Sequence, residues 1–178
     1  MNLQRSISML AGLAVAAGLA GCASAPEAPA AAPSAAPAAE LPAPEWRKIL
    51  QQEERFAVYV SQPAVREGDL AHFRMVYVYM PEEVFLEGRE VAWQEYSHVT
   101  IDCPGDKVRM GPRTRYAPGG AAFGADNNQE FAWIIGGAVV RSKDVYCNNK
   151  PWEGMVVVPG GDGWIERERA KIPGSKPL

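Results

Sequence analysis

From Trp46 onward the apolar positions of the chain recur mainly with period two. In "LAHFRMVYVYM", residues 70–80, Ala71, Phe73, Met75, Tyr77 and Tyr79 share one parity, and Leu70, His72, Arg74, Val76 and Val78 the other, which predicts a strand with one well-buried side. In "REVAWQEYSHVTIDC" the odd positions carry Val91, Trp93, Val99, Ile101 and Cys103, and the even positions carry Gln94, Tyr96, His98, Thr100 and Asp102, a second strand. "RFAVYV" is a third, joined to the first through "SQPAVREGD", where Pro63 and Gly68 mark turns. "KVRMGPRTRY" is a fourth, interrupted at Gly111 and Pro112; the short "PGD" turn pairs it with the Cys103 strand as a hairpin. "WRKILQQEERF" fits a helix through Trp46, Ile49, Leu50 and Phe56 and a strand through Trp46, Lys48 and Leu50. After Trp133, "WIIGGAVVRSKDVYC" breaks at Gly136 and Gly137 and then allows a helical turn leading to Cys147. "GMVVVPGG" offers one more short strand, and "ERERAKIPGSKPL" reads as a polar tail.

The first residues follow a different rule. "MNLQRSISMLAGLAVAAGLAGC" has a polar start with Arg5, an apolar run from Met9 to Gly21 and small residues before Cys22, the layout of a secretory signal. The run is too short for a transmembrane helix, which needs roughly 20 apolar residues. Leu19, Ala20, Gly21 and Cys22 resemble the lipobox of bacterial lipoproteins, in which the signal, here 1–21, is removed and the cysteine is acylated. More than one acyl chain at about 0.8 kcal/mol per buried methylene gives a stable membrane anchor. Ala23 after the cysteine favours, by the same resemblance, sorting to the outer membrane. Residues 22–45 comprise this cysteine and an Ala/Pro-rich linker with no aromatic residue. Such a segment buries no core and extends at about 3.1 Å per residue, a reach on the order of 70 Å. The folded domain is expected over 46–178.

Composition adds limits. The chain has 178 residues, 47% hydrophobic and 22% charged, enough for one core. Without Arg5, 17 of the 18 basic residues face 21 acidic ones, and this mildly acidic balance calls for no nucleic-acid partner. With Cys22 consumed by lipid, Cys103 and Cys147 are an even pair in an oxidising compartment, so a disulfide between them is the leading reading. A structural zinc site needs four closely spaced ligands, and two cysteines and two histidines supply no CxxC or HxxxH. His98 and Cys103 differ by an odd number along one strand and point to opposite faces. His72 could approach Cys103 from a neighbouring strand, although a solvent-exposed or hydrogen-bonded histidine is the simpler expectation. His98 and Asp102 share a face without a serine motif and read as surface.

Lys107, Arg109, Arg113 and Arg115 would share one face of an uninterrupted strand, opposite Val108 and Met110. That basic stripe is the candidate binding site, suited to sulfated glycans, anionic lipid headgroups or an acidic protein. A solvated outer sheet face is the plainer alternative, and a bulge at Gly111 and Pro112 would break the alignment. "PGGDGW" lacks the Lys-Ser/Thr of a phosphate loop, and "ADNNQE" lacks the acidic alternation of a calcium loop. No catalytic residue, metal site or cofactor is expected.

The order "YVSQPAVREGDLAHFRMVYVY", "SHVTIDC", "KVRM", Tyr116 with a following glycine pair, "AWIIGGAVV" and "DVYC" resembles the surface-adhesin protein E family of bacterial lipoproteins over roughly residues 46–147. The resemblance implies a mainly β (α+β) fold: a small antiparallel sheet with a short helix, a disulfide at Cys103 and Cys147, the Trp46 segment as a strand, and non-enzymatic binding. The chain departs from the family in its longer Ala/Pro stalk and its extra residues after Cys147. Two roles follow as expectations: a surface adhesin for a host extracellular-matrix protein or glycan, or an accessory envelope lipoprotein working in the periplasm.

Overall fold

The computed structural model describes residues 41, 43–52 and 55–173; the signal 1–21, Cys22, most of the linker and residues 174–178 lie outside them. Among the described residues, twelve strands and two helices follow in order: β1 (Glu45–Gln52), β2 (Phe56–Gln62), β3 (Val65–Glu67), β4 (Leu70–Tyr79), β5 (Phe85–Leu86), β6 (Arg89–Glu90), β7 (Trp93–Asp102), β8 (Lys107–Met110), β9 (Pro112–Tyr116), β10 (Ala122–Asn127), β11 (Ala132–Trp133), α1 (Gly137–Tyr146), β12 (Val156–Val158) and α2 (Trp164–Arg169). The fold is mainly antiparallel β with short helices: the alternation predicted the strands, and the resemblance implied the antiparallel sheet with a short helix. The main sheet runs β10-β9-β7-β4-β2-β1-β12, with β8 beside β7, β11 beside β8 and β3 beside β4. β5 and β6 form a separate hairpin.

Both faces of the sheet are covered over its centre. On one, Ala57, Tyr59, Val76, Val78 and Trp93 pack with Trp46, Val158, Trp164 and Ile172. On the other, Val58, Val60, Phe73, Met75, Val99 and Ile101 pack with Ile49, Val108 and Ala138 of α1. Two-sided burial explains the near-continuous apolar run of β2, whose five middle residues are all buried. β1 is the strand that the family resemblance implied. Trp46 and Ile49, three apart, enter opposite cores.

Two sequence expectations need correction. The "ERERAKIP" segment is not a free polar tail: α2 buries Trp164, Glu168 and Arg169, and Ile172 follows into the core. Trp164 stacks on Trp46 with ring centroids 5.0 Å apart and meets Tyr59 edge-on at 5.3 Å. Tyr59 Oη donates to Glu168 Oε2 at 3.1 Å, and Arg169 Nε donates to the Tyr79 carbonyl at 2.9 Å. The polar residues of the segment therefore hold the helix to the sheet.

β7 also departs from the constant alternation expected of it. Tyr96 and Val99 are three apart yet pack in the same core cluster. Side-chain parity therefore flips between them. Against β4 the register slips between Phe73 and Met75: β4 advances two residues while β7 advances three. The β8–β9 segment advances three as well, from Met110 opposite Val99 to Arg113 opposite Tyr96, so both strands bulge together. Gly111 N donates to the His98 carbonyl at 2.9 Å there. A Cβ on Gly111 would lie 2.4 Å from that oxygen, so only glycine fits this approach. Trp93 and Val99, expected on one face, consequently lie on opposite faces.

Candidate functional site

The paired bulge divides the basic stripe. Lys107 and Arg109 sit opposite Asp102 and Thr100, on the face away from Val108 and Met110, whereas Arg113 and Arg115 sit opposite Tyr96 and Gln94 on the other face. The four side chains do not form one site, and the two halves have different chemistry.

Arg113 and Arg115 are paired. Arg113 Nε donates to both carboxylate oxygens of Asp126 at 3.1 Å, and Arg115 Nη2 reaches Asp126 Oδ2 at 2.8 Å. The hydrogen bond from Arg113 is the main cause holding the Asp126 carboxyl below its usual range. Arg113 also lies 5.7 Å from the centre of the Tyr96 ring, beside Tyr77, whose hydroxyl is pushed up to about 12 by burial and by Tyr96. Their charge is used locally.

Lys107 and Arg109 form no ion pair with a carboxylate among the described residues. Each instead lies over an aromatic ring: Lys107 Nζ is 5.2 Å from the Trp133 centroid, and the Arg109 guanidinium carbon is 5.1 Å from that of Phe131. β11 brings those rings in by pairing with β8, Trp133 against Lys107. Trp133 is 65% exposed, Phe131 41% and Ile135 93%, a run of large apolar side chains along one edge. A groove of about 370 Å³ continues from this edge along Ile135, Val108, Met110, Tyr77, Phe56 and Leu50. The edge combines apolar rings, two cations without carboxylate partners and a short outer strand, which suits recognition of a partner surface. The sequence reading found Lys107 and Arg109 but missed Phe131 and Trp133, because the separation of β11 from β8 along the chain hides their pairing.

Cys103 and Cys147 form the disulfide, with Cα atoms 5.5 Å apart. It joins the end of β7 to the residue after α1. Arg66 lies across it, donating to the Tyr146 carbonyl at 3.0 Å, and Tyr146 Oη donates to the Ser61 carbonyl at 2.6 Å. These bonds fix α1 against β2 and β3.

The histidines meet, which the sequence reading did not anticipate. His98, expected on the surface with Asp102, is half-buried against His72: His72 Nδ1 and His98 Nε2 are 3.1 Å apart, and Thr100 Oγ1 is 3.2 Å from the same Nδ1. Asp102 turns away to accept from Gly105 N at 3.1 Å. Burial lowers the pKa of both rings, Arg109 lowers them further, and Glu67 opposes the shift. Cys103 is held in its disulfide, which leaves no thiol there for a histidine to activate. No helix among the described residues is long and apolar enough to cross a membrane. No protein-family model matches the chain, and no curated protein and no solved structure is found to be similar to it.

Proposed function

We propose that this chain is a lipid-anchored bacterial envelope protein: acylated at Cys22, held off the membrane by its Ala/Pro linker, and binding a protein or glycan through its β domain without catalysis. One observation supports the binding role above the others. Phe131, Trp133 and Ile135 stand exposed beside Lys107 and Arg109, and monomeric domains rarely leave such groups clustered without a use. Aromatic and arginine side chains dominate binding energy where they are later buried by a partner. In its finer form the reading is a surface adhesin for a host extracellular-matrix protein, in line with the resemblance to the protein E family.

The test joins location to binding. Protease treatment of intact cells carrying a tagged chain is expected to remove the domain, and mass measurement of the mature protein to find acyl groups on Cys22. Purified chain is expected to bind immobilised matrix proteins or glycans saturably. Trp133→Ala should weaken that binding about tenfold or more, the loss of a well-packed aromatic anchor, with an unchanged thermal transition. A domain protected until the outer membrane is opened would exclude adhesion and point to an accessory periplasmic role. Binding unaffected by Trp133→Ala would remove this edge as the site.

A further inference from the structure

We propose that His72 and His98 form an open two-histidine site for a divalent transition-metal ion of the zinc, copper and nickel group, with His72 Nδ1 and His98 Nε2 as its protein ligands. The two nitrogens are 3.1 Å apart. That spacing suits two imidazoles sharing a proton, and it also suits two ligands on one ion. Metal–nitrogen bonds of about 2.0–2.1 Å at a near-tetrahedral angle place their nitrogens roughly 3.3 Å apart. The sheet supplies the spacing: His72 pairs directly with Thr100 across β4 and β7, and His98, two residues before Thr100, falls on the same face.

The far nitrogen of His72 supplies the second observation. The residue is 3% exposed, and its Nε2 is buried without a hydrogen-bond partner. Glu67 Oε2 lies 3.5 Å from it, within ion-pair range but without hydrogen-bond alignment. One tautomer of His72 sets a bare Nε2 lone pair against this carboxylate; the other aims an N–H at it. A metal on Nδ1 enforces the second tautomer, giving the carboxylate–histidine–metal relay that orients imidazole ligands in many sites. Glu67 is thus a positioning residue, needing only a small side-chain adjustment.

The surroundings select the class of ion. Two imidazoles and no set of oxygen ligands disfavour calcium and magnesium and favour zinc, copper or nickel. Among the described residues no group of three or more His, Cys, Asp and Glu side chains gathers to enclose an ion, so water fills the remaining positions. Arg109 donates to Thr100 Oγ1 at 3.4 Å and adds a positive charge nearby. Binding is therefore moderate and exchangeable, unlike that of a closed structural site. This site adjoins the Trp133 edge through Arg109, but it stands or falls independently of the binding role.

The experiment uses detergent-solubilised full chain without a polyhistidine tag, freed of metal by chelation. Zinc and copper are titrated by calorimetry while the imidazole resonances are followed by NMR. One ion per chain is expected, perturbing both His72 and His98. His98→Gln keeps a side chain able to hydrogen-bond His72, and it should weaken binding about tenfold or more while leaving the fold intact by circular dichroism. Glu67→Gln should weaken it about tenfold through the relay alone. Absence of saturable binding to either metal, or equal binding by His98→Gln and the parent chain, would overturn the proposal.

Discussion

Glu95 lies in β7 opposite Val76 of β4 and Thr114 of β9, on the face of the sheet that also buries Val78 and Trp93. Burial raises its pKa, and Arg74 only partly opposes the shift. A carboxyl whose pKa is raised by folding binds protons more tightly in the native than in the unfolded state. Its burial is therefore least costly at acid pH, and the cost grows as pH rises through the unfolded and then the folded pKa. Glu95→Gln should accordingly raise the melting temperature at pH 7, with the gain shrinking toward pH 4. Thermal melts of both proteins across that range would show it, and a gain independent of pH would contradict this account. At this scale the sequence was informative where counting suffices, as with Cys103 and Cys147. It misled where parity was assumed constant. The Gly111–Pro112 interruption was visible in the sequence, but the matching bulge at Ser97 and His98 depends on β4 packing from the other side. The paired bulge separates Lys107 and Arg109 from Arg113 and Arg115.

At the scale of elements, the strands β2, β4 and β7 were readable from their apolar runs and alternation, whereas β1 stayed ambiguous and α2 was missed. β1 carries Trp46 and Ile49 three apart, the spacing of one helical face. In a strand the same spacing sends the two side chains to opposite faces, and both faces here are covered. α2 was hidden for the opposite reason: it has few apolar residues, and its charged Arg167, Glu168 and Arg169 find partners. Trp164 is its main anchor, lying between Trp46 and Tyr59. Trp164→Ala should destabilise the domain by about 3–5 kcal/mol, the usual cost of emptying a buried aromatic site. Denaturant unfolding followed by near-ultraviolet circular dichroism, where the Trp46 environment contributes, would measure it. A loss below about 1 kcal/mol would mean that α2 is only loosely docked.

For the molecule as a whole, the disulfide and the exposed edge belong to one loop. The bond closes a sequence separation of 44 residues, and β8, β9, β10, β11 and α1 all lie inside it. Phe131 and Trp133 sit in that loop on β11, a strand of two residues, and are held mainly through β8. Cross-linking a loop of this length restricts the unfolded chain by about 4 kcal/mol in the chain-entropy model. Part of that constraint acts on the segment presenting the exposed rings. The double substitution Cys103→Ser with Cys147→Ser should therefore lower unfolding stability by about 4 kcal/mol. It should also speed amide exchange in residues 131–147 more than in β2 and β4, whose bonds lie in the doubly covered centre of the sheet. Denaturant titration and hydrogen exchange measure the two effects separately. Lower stability with uniform exchange would mean that the bond acts only on the unfolded chain. Selective loosening near Trp133 would make the bond a support of the binding edge, and an oxidising compartment a condition for its order.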